Sequence, residues 1–116
     1  MASLPLLLLT ACDEAPLPQR QLRSDDCLRE VRLDRLKEQI RRCDQVVASF
    51  PTNPAPLNER YLLHSLANQP EAACADIQRA RVLAAQARPG SLDPRLMLDL
   101  RLRAELCAAP QQPSRP

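Results

Sequence analysis

The sequence predicts an all-α fold, with about five short antiparallel helices in one domain. Three observations lead to this prediction. Apolar residues make up 45% of the 116-residue chain and are mostly leucine and alanine, which favour helices. The chain has one glycine, so turns that need a positive φ are scarce. Its 12 prolines collect at the two ends and in short clusters, which indicates unstructured ends around a helical centre.

Two helices are predicted before the first proline cluster. The first starts at Ser24, a good N-cap residue followed by two aspartates that suit the positive end of a helix dipole. The apolar spacing slips between Val31 and Leu33, so we expect a break there, with Asp34 as the cap of the second helix. Apolar residues then recur three and four positions apart until Pro51 ends the helix, at positions 33, 36, 40, 43, 47 and 50.

Three further helices are predicted after the PTNPAP stretch. The third covers about 57–67 and ends in a polar turn, Asn68-Gln69. The fourth opens on Pro70, which the first helical turn tolerates, and runs to about 87 before the glycine turn at 88–90. The fifth opens on Asp93-Pro94 and continues to about 107. Its alternating leucines would also suit a strand, but the Asp-Pro start and the absence of β-branched residues favour a helix.

Composition excludes several classes of function. The chain has 16 basic and 14 acidic residues, a balance that argues against a nucleic-acid partner because phosphate binding needs clustered positive charge. The aromatic residues are Phe50 and Tyr61, so base-stacking surfaces are not expected. The sequence shows no hydrolytic triad, paired carboxylates or metal cluster, and we therefore expect neither enzyme activity nor a metal site. Arg79 and Arg81 are interpreted as solvated charges, and the single histidine, His64, as structural or exposed.

The N-terminal apolar run LPLLLL is too short to cross a bilayer, which needs about 20 apolar residues, but it suits the centre of an export signal. The residues that follow it, Leu9-Thr10-Ala11-Cys12, resemble the lipobox of bacterial lipoproteins. This resemblance implies a signal peptide over 1–11 and lipidation of Cys12 with diacylglycerol and an N-acyl chain such as palmitate. Its first residues, MASL, lack the basic residue usual in such signals, and the alternative is an ordinary apolar N-terminus that contains a cysteine.

The lipoprotein resemblance also implies a location and a domain plan. The mature chain would be held at a periplasm-facing membrane surface of the bacterial cell envelope, with the choice of inner or outer membrane left open. Residues 12–23 would form a flexible, proline-bearing tether. Residues 24–108 would form the helical domain, and 109–116 a disordered tail.

Four cysteines remain after Cys12, and an exported chain sits in an oxidising compartment, so two disulfides are expected. In an antiparallel hairpin, facing residues lie equally far from the turn. Cys27 and Cys43 have their midpoint at residue 35, beside the predicted break, and Cys74 and Cys107 have theirs beside the glycine turn. The predicted pairs are therefore Cys27–Cys43 and Cys74–Cys107, each joining one helical hairpin. An unbroken helix over 24–49 would separate the first pair by roughly 24 Å and exclude that bond.

Zinc is the rival use of four cysteines. Structural zinc sites usually draw their ligands in close pairs, two to four residues apart. The gaps between the remaining cysteines are 16, 31 and 33 residues, and no CxxC motif occurs. The sequence therefore favours disulfides.

The middle of the chain, residues 50–84, resembles a tetratricopeptide repeat preceded by the end of another. Pro51 stands where such a repeat closes, Leu57-Asn58-Glu59-Arg60 matches the start of the next first helix, and the small residues Ala73 and Ala80 match the second helix. Tyr61, His64 and Asn68 depart from the pattern. One and a half repeats are fewer than such stacks usually need, and the disulfides would compensate.

The repeat resemblance implies a groove that binds a protein partner, and its lining maps onto Asn58, Leu62 and Ser65. The main hypothesis is thus a membrane-anchored, non-enzymatic module for protein-protein interaction or assembly, with a partner of unknown identity. An alternative is a ligand-binding accessory or inhibitor of an envelope enzyme. A pocket lined by Tyr61, His64 and Arg60 would favour that alternative. A third hypothesis is a purely structural envelope lipoprotein.

Overall fold

A computed structural model describes residues 21–109 of the chain, and these residues form an all-α fold, as predicted. Four α-helices follow two short 3-10 turns, Asp26–Leu28 and Leu33–Arg35. The α-helices are α1 (Leu36–Ser49), α2 (Ala55–Leu66), α3 (Pro70–Gln86) and α4 (Pro94–Ala108). No strand occurs within residues 21–109. The predicted signal peptide, most of the tether, the lipidation site Cys12 and nearly all of the tail lie outside the described residues.

Residues 21–109 contain four α-helices rather than about five, because the predicted first helix does not form. In its place, Asp26–Leu28 is a single 3-10 turn, and Glu30 then takes a left-handed φ of 55°. The backbone carbonyls of this segment bind elsewhere, since Gln39 Nε2 donates to the oxygens of Cys27 and Arg29 at 2.7 and 3.1 Å. Ser24 caps no helix, and one buried glutamine from α1 takes the place of helical hydrogen bonds.

The start of α1 also differs from the prediction. A 3-10 turn covers Leu33–Arg35, α1 begins at Leu36, and its N-cap residue is Arg35, which makes no side-chain capping bond. Asp34 instead pairs with Arg32 at 3.4 Å on the surface. Leu33, the first residue of the predicted apolar pattern, therefore lies before α1 and is exposed.

The later boundaries agree more closely with the sequence. Helix α2 begins two residues before the predicted start, because the Asn53 side chain accepts the Ala55 N–H at 3.0 Å and the first turn tolerates proline. Helix α3 begins at Pro70, after a left-handed Asn68 with φ of 58°. Helix α4 is capped as predicted, since the Asp93 carboxylate accepts the Arg95 N–H at 2.9 Å. The alternating leucines are thus helical.

Helix α2 lies at the centre of the fold and contributes one residue to each of two buried clusters. The first cluster combines the Cys27–Cys43 disulfide with Val46 and Leu63. The second is formed by Leu57, Ile77, Ala80 and Leu100, and Val47 packs against both clusters. Because both Ala73 and Ala80 of α3 are fully buried and small, α2 and α3 can pack closely, as the sequence predicted for these positions.

Both predicted disulfides are confirmed, although only one joins two α-helices. The bond between Cys27 and Cys43, here named the α1 disulfide, fastens the first 3-10 turn to α1, with Cα atoms 4.5 Å apart. The bond between Cys74 and Cys107, the α4 disulfide, joins α3 to α4, with Cα atoms 5.7 Å apart. Loops of this length contribute roughly 3 and 4 kcal/mol in the chain-entropy description. That is a large share of the roughly 5–15 kcal/mol by which a domain is stable.

Candidate functional site

The three residues predicted to bind a partner share one face of α2 but differ in exposure. Asn58, Leu62 and Ser65 are spaced by four and three positions, which places them on one side of a helix. Asn58 is only 7% exposed, Leu62 is half-buried and Ser65 is exposed. The free part of this face is therefore its C-terminal end, where Leu66 is also exposed.

Asn58 is taken up by contacts with α4. Its Nδ2 donates to Asp99 Oδ2 at 3.2 Å, and Arg103 Nη1 donates to the Asn58 side-chain and backbone oxygens at 2.6 and 2.9 Å. The Arg103 guanidinium also lies 4.9 Å from the centre of the Tyr61 ring, within range of a cation–π interaction. Asn58 thus fastens the last helix to the centre of the domain.

A second polar cluster lies on the other side of α2 and is centred on Arg60. Its Nε and Nη2 donate to both carboxylate oxygens of Asp76 at 2.8 and 2.7 Å, and Nη1 donates to Asp44 at 2.9 Å. The hydrogen bond with Asp76 is the main cause that raises the pKa of Arg60, with a smaller contribution from Asp44. His64 Nε2 lies 3.6 Å from Asp76, while its Nδ1 is 2.8 Å from Gln69 Oε1. This cluster connects α1, α2 and α3.

The residues proposed for a ligand pocket do not come together as one. Arg60 and His64 lie on the Asp76 side of α2, whereas Tyr61 packs toward α4 beneath Arg103. None of the three lines either of the two grooves found on the described surface. Their side chains connect helices, and the geometry gives a ligand-binding role for them no support.

An acidic corner, formed by Asp25, Asp26 and Glu59, lies where the first 3-10 turn meets α2. Burial and the nearby charges of Asp25 and Asp26 raise the pKa of Glu59 to about 7. Glu59 Oε2 is buried and has no hydrogen-bond partner among the described residues. Asp26 itself accepts the Arg23 N–H at 2.8 Å and pairs with Arg29. The sequence offers no signal for this corner, since the residues are more than 30 positions apart and meet only through the fold.

Two grooves flank the loop at residues 87–92, and sequence reasoning found neither. The first, of about 700 Å³, lies between the C-terminal half of α3 and the N-terminal half of α4. The second, of about 660 Å³, lies between the same loop and the α1–α2 connection. The first groove carries the more distinctive chemistry, because three arginines surround an apolar lining. The sequence signal for this groove is limited to one arginine on each helix, Arg81 on α3 and Arg101 on α4, with Arg88 in the loop between them.

Two further observations limit the chemistry within residues 21–109. No group of three or more histidine, cysteine, aspartate or glutamate side chains is arranged to hold a metal ion. No helix in this part of the chain is long and apolar enough to cross a membrane.

Comparison of this chain with known protein families, with curated proteins and with solved structures finds no match.

Proposed function

We propose that this chain is an exported lipoprotein, anchored through Cys12, whose tetratricopeptide-like helical domain is a non-enzymatic module for protein-protein interaction or assembly. The domain would face the periplasm from a membrane of the bacterial envelope and would bind a protein partner. It would carry no cofactor, and its attached lipid would be the diacylglycerol and N-acyl chain on Cys12.

The two disulfides support export. Disulfides persist in oxidising compartments such as the bacterial periplasm and are rare in the cytosol. Both bonds in this chain close long loops, and one lies in the buried core. A domain with so small a core gains stability from such cross-links, which supports the proposed location in a compartment where they form.

The observation that carries the interaction role is the exposure of leucine on the last helix. Leu98, Leu102 and Leu106 are 45, 48 and 66% exposed and recur every four residues, so they form one apolar stripe on α4. The last helix of a repeat stack normally shows a polar outer face. The polar clusters at Asn58 and Arg60 are, by contrast, satisfied within the domain. Apolar surface is therefore what α4 offers to a partner.

Lipidation is tested by labelling cells with an alkyne analogue of palmitate. We expect label on the wild-type protein and on a Thr10→Ser variant, which keeps a small residue at that position, and none on Cys12→Ser. The fractionated Cys12→Ser protein is expected to leave the membrane pellet. Equal labelling of the Cys12→Ser and wild-type proteins would exclude the anchor.

The interaction role is tested with photo-crosslinking amino acids placed at Leu102 and Ser65, with Lys37, an exposed residue of α1, as the control position. A stoichiometric adduct with one protein, formed from Leu102 or Ser65 but not from Lys37, is the expected result. Recovery without any adduct would contradict the proposal and favour a purely structural lipoprotein. A co-purifying metabolite in place of a protein would favour the ligand-binding accessory.

A further inference from the structure

The first groove is built from two stripes of side chains and the loop that joins them. Helix α3 contributes Arg81, Ala84 and Ala85, Arg88 lies in the loop after α3, and α4 contributes residues at 94, 97, 98 and 101. The spacing from the first residue is three and four positions in α3 and three, four and seven positions in α4, so each set lies along one face of its helix. Ala84 and Ala85 of α3 have short side chains, which leaves space between the two helices. Along α4 the groove extends from residue 94 to residue 101, a rise of about 10 Å, which is two turns of a helix.

Apolar side chains of α4 form the wall of the groove. Met97 and Leu98 are exposed, and Leu100 is buried at its base. This surface lies on the outside of α3 and α4, where the stack ends. In a longer stack of helices, the next helix would pack on such a surface.

The charge around the groove has one sign. Its charged lining residues are Arg81, Arg88 and Arg101, and no acidic residue is among the lining residues, all of which lie within the described chain. These three guanidinium groups form no ion pair with another described residue, whereas Arg60 and Arg103 are bonded inside the domain. Arg88 lies at the end of the groove beside the turn. Arg81 and Arg101 lie toward the other end, at about equal distances along the chain from the turn. The positive charge is thus spread along the groove.

We propose that this groove binds an amphipathic helix of the partner protein, with apolar residues toward α4 and acidic residues beside the three arginines. The proposal deepens the proposed function and rests on it, since it names the site and the chemistry of the partner. Helix-in-groove binding uses apolar residues at intervals of three and four, which the two turns of the groove accommodate.

Two other occupants fit the observations less well. An acyl chain carries one headgroup and needs enclosure of most of its surface, but the groove is open on one side and its arginines are separated. A two-fold pair of copies joined through this groove would bring the same arginines face to face, which costs affinity because like charges repel.

The probe is a fluorescent 16-residue helical peptide with leucine at positions spaced three and four apart and glutamate elsewhere, measured by anisotropy. A second peptide replaces glutamate by lysine, and a third has the same composition with the leucines scattered. We expect the acidic striped peptide to bind the disulfide-bonded domain at least about tenfold more tightly than either control, with affinity falling as salt rises. Equal binding of the three peptides would overturn the proposal.

The site is tested with matched charge reversals. Arg81→Glu/Arg101→Glu reverses two charges in the groove. Arg79→Glu/Arg95→Glu makes the same change in net charge at exposed positions on the same helices outside the groove. The first variant is expected to weaken peptide binding about tenfold, and the second less than twofold. Leu98→Asp, at an exposed site, is expected to weaken it similarly. Circular dichroism and intact mass verify that each variant is folded and oxidised.

Several outcomes would refute the groove assignment. Equal loss of binding in both charge variants would place the peptide elsewhere. Binding of sodium laurate that displaces the peptide from the groove would identify an acyl ligand instead. Concentration-dependent dimerisation that Arg81→Glu/Arg101→Glu abolishes would identify a second copy.

The crosslinking experiment separates this proposal from the proposed function. If a partner adduct forms with equal yield in wild type and in Arg81→Glu/Arg101→Glu, the interaction module stands and the groove assignment fails. If the peptide behaves as expected but no adduct forms in cells, the groove stands and the proposed function fails.

Discussion

The ion pair between Arg60 and Asp76 offers the sharpest test of how this small domain is held together. One guanidinium binds two carboxylates that differ in burial and in the number of hydrogen bonds they accept. The side chain of Asp76 is 7% exposed and bound through both oxygens, whereas that of Asp44 is 52% exposed and bound through one. Replacing each aspartate by asparagine therefore makes the same chemical change in two environments.

The expected free-energy changes differ severalfold. Asp76→Asn removes the carboxylate charge and replaces one accepting oxygen by an amide N–H₂ beside a partly buried cation, which breaks a buried ion pair and costs about 3 kcal/mol. Asp44→Asn removes one exposed contact, and such pairs contribute about 0.2–1 kcal/mol. For a domain of this size, about 3 kcal/mol lowers Tm by at least about 12 °C, while the control lowers it by a few degrees.

Urea unfolding of the oxidised protein at pH 7, followed by circular dichroism, measures both free energies of unfolding. The slope against urea is expected to stay the same, since neither change alters the surface exposed on unfolding. Equal destabilisation by Asp76→Asn and Asp44→Asn, within about 0.5 kcal/mol, would refute the argument that burial and the second hydrogen bond make the Asp76 contact the stronger one. An Arg60→Gln/Asp76→Asn double variant should be less destabilised than the sum of its single changes, because neither partner is then left charged.

Two further predictions concern protonation and redox chemistry. Because the folded protein raises the pKa of Glu59 from 4.5 to about 7, its neutral form favours folding. The contribution is complete below pH 4.5 and is lost as the pH rises through 7, so Glu59→Gln should stabilise the protein at pH 8 by about 1 kcal/mol, after allowance for partial exposure, and change little at pH 5. A wild-type unfolding free energy that responds to pH as the variant does would contradict this. The half-buried α4 disulfide should be reduced by dithiothreitol before the fully buried α1 disulfide, as measured by alkylation and peptide mass mapping. Reduction of the α1 disulfide first would contradict that order.

The sequence by itself determined the helical class, most helix boundaries after residue 49 and the pairing of cysteines. These features depend on local chemistry or on distance along the chain. Pro70 suits the start of α3 because it lacks the N–H that a first helical turn leaves unbonded. Asp93 suits the start of α4 because its carboxylate accepts a backbone N–H of the first turn, and both starts are as predicted. Cysteine pairing followed from the symmetry of positions about a turn, which holds even though the α1 disulfide joins a 3-10 turn to a helix.

Tertiary structure decided the rest, because it depends on contacts between residues far apart in sequence. Gln39 binds the carbonyls of Cys27 and Arg29, so a segment with a good helical start becomes a turn. Asn58 was assigned to a partner-binding face from its place in a repeat pattern, but its hydrogen-bond partners are 41 and 45 residues away on α4. The groove likewise exists only because the turn at 87–92 sets two similar helix faces side by side. Helix propensity is weak per residue, and a buried side chain that satisfies backbone carbonyls outweighs it.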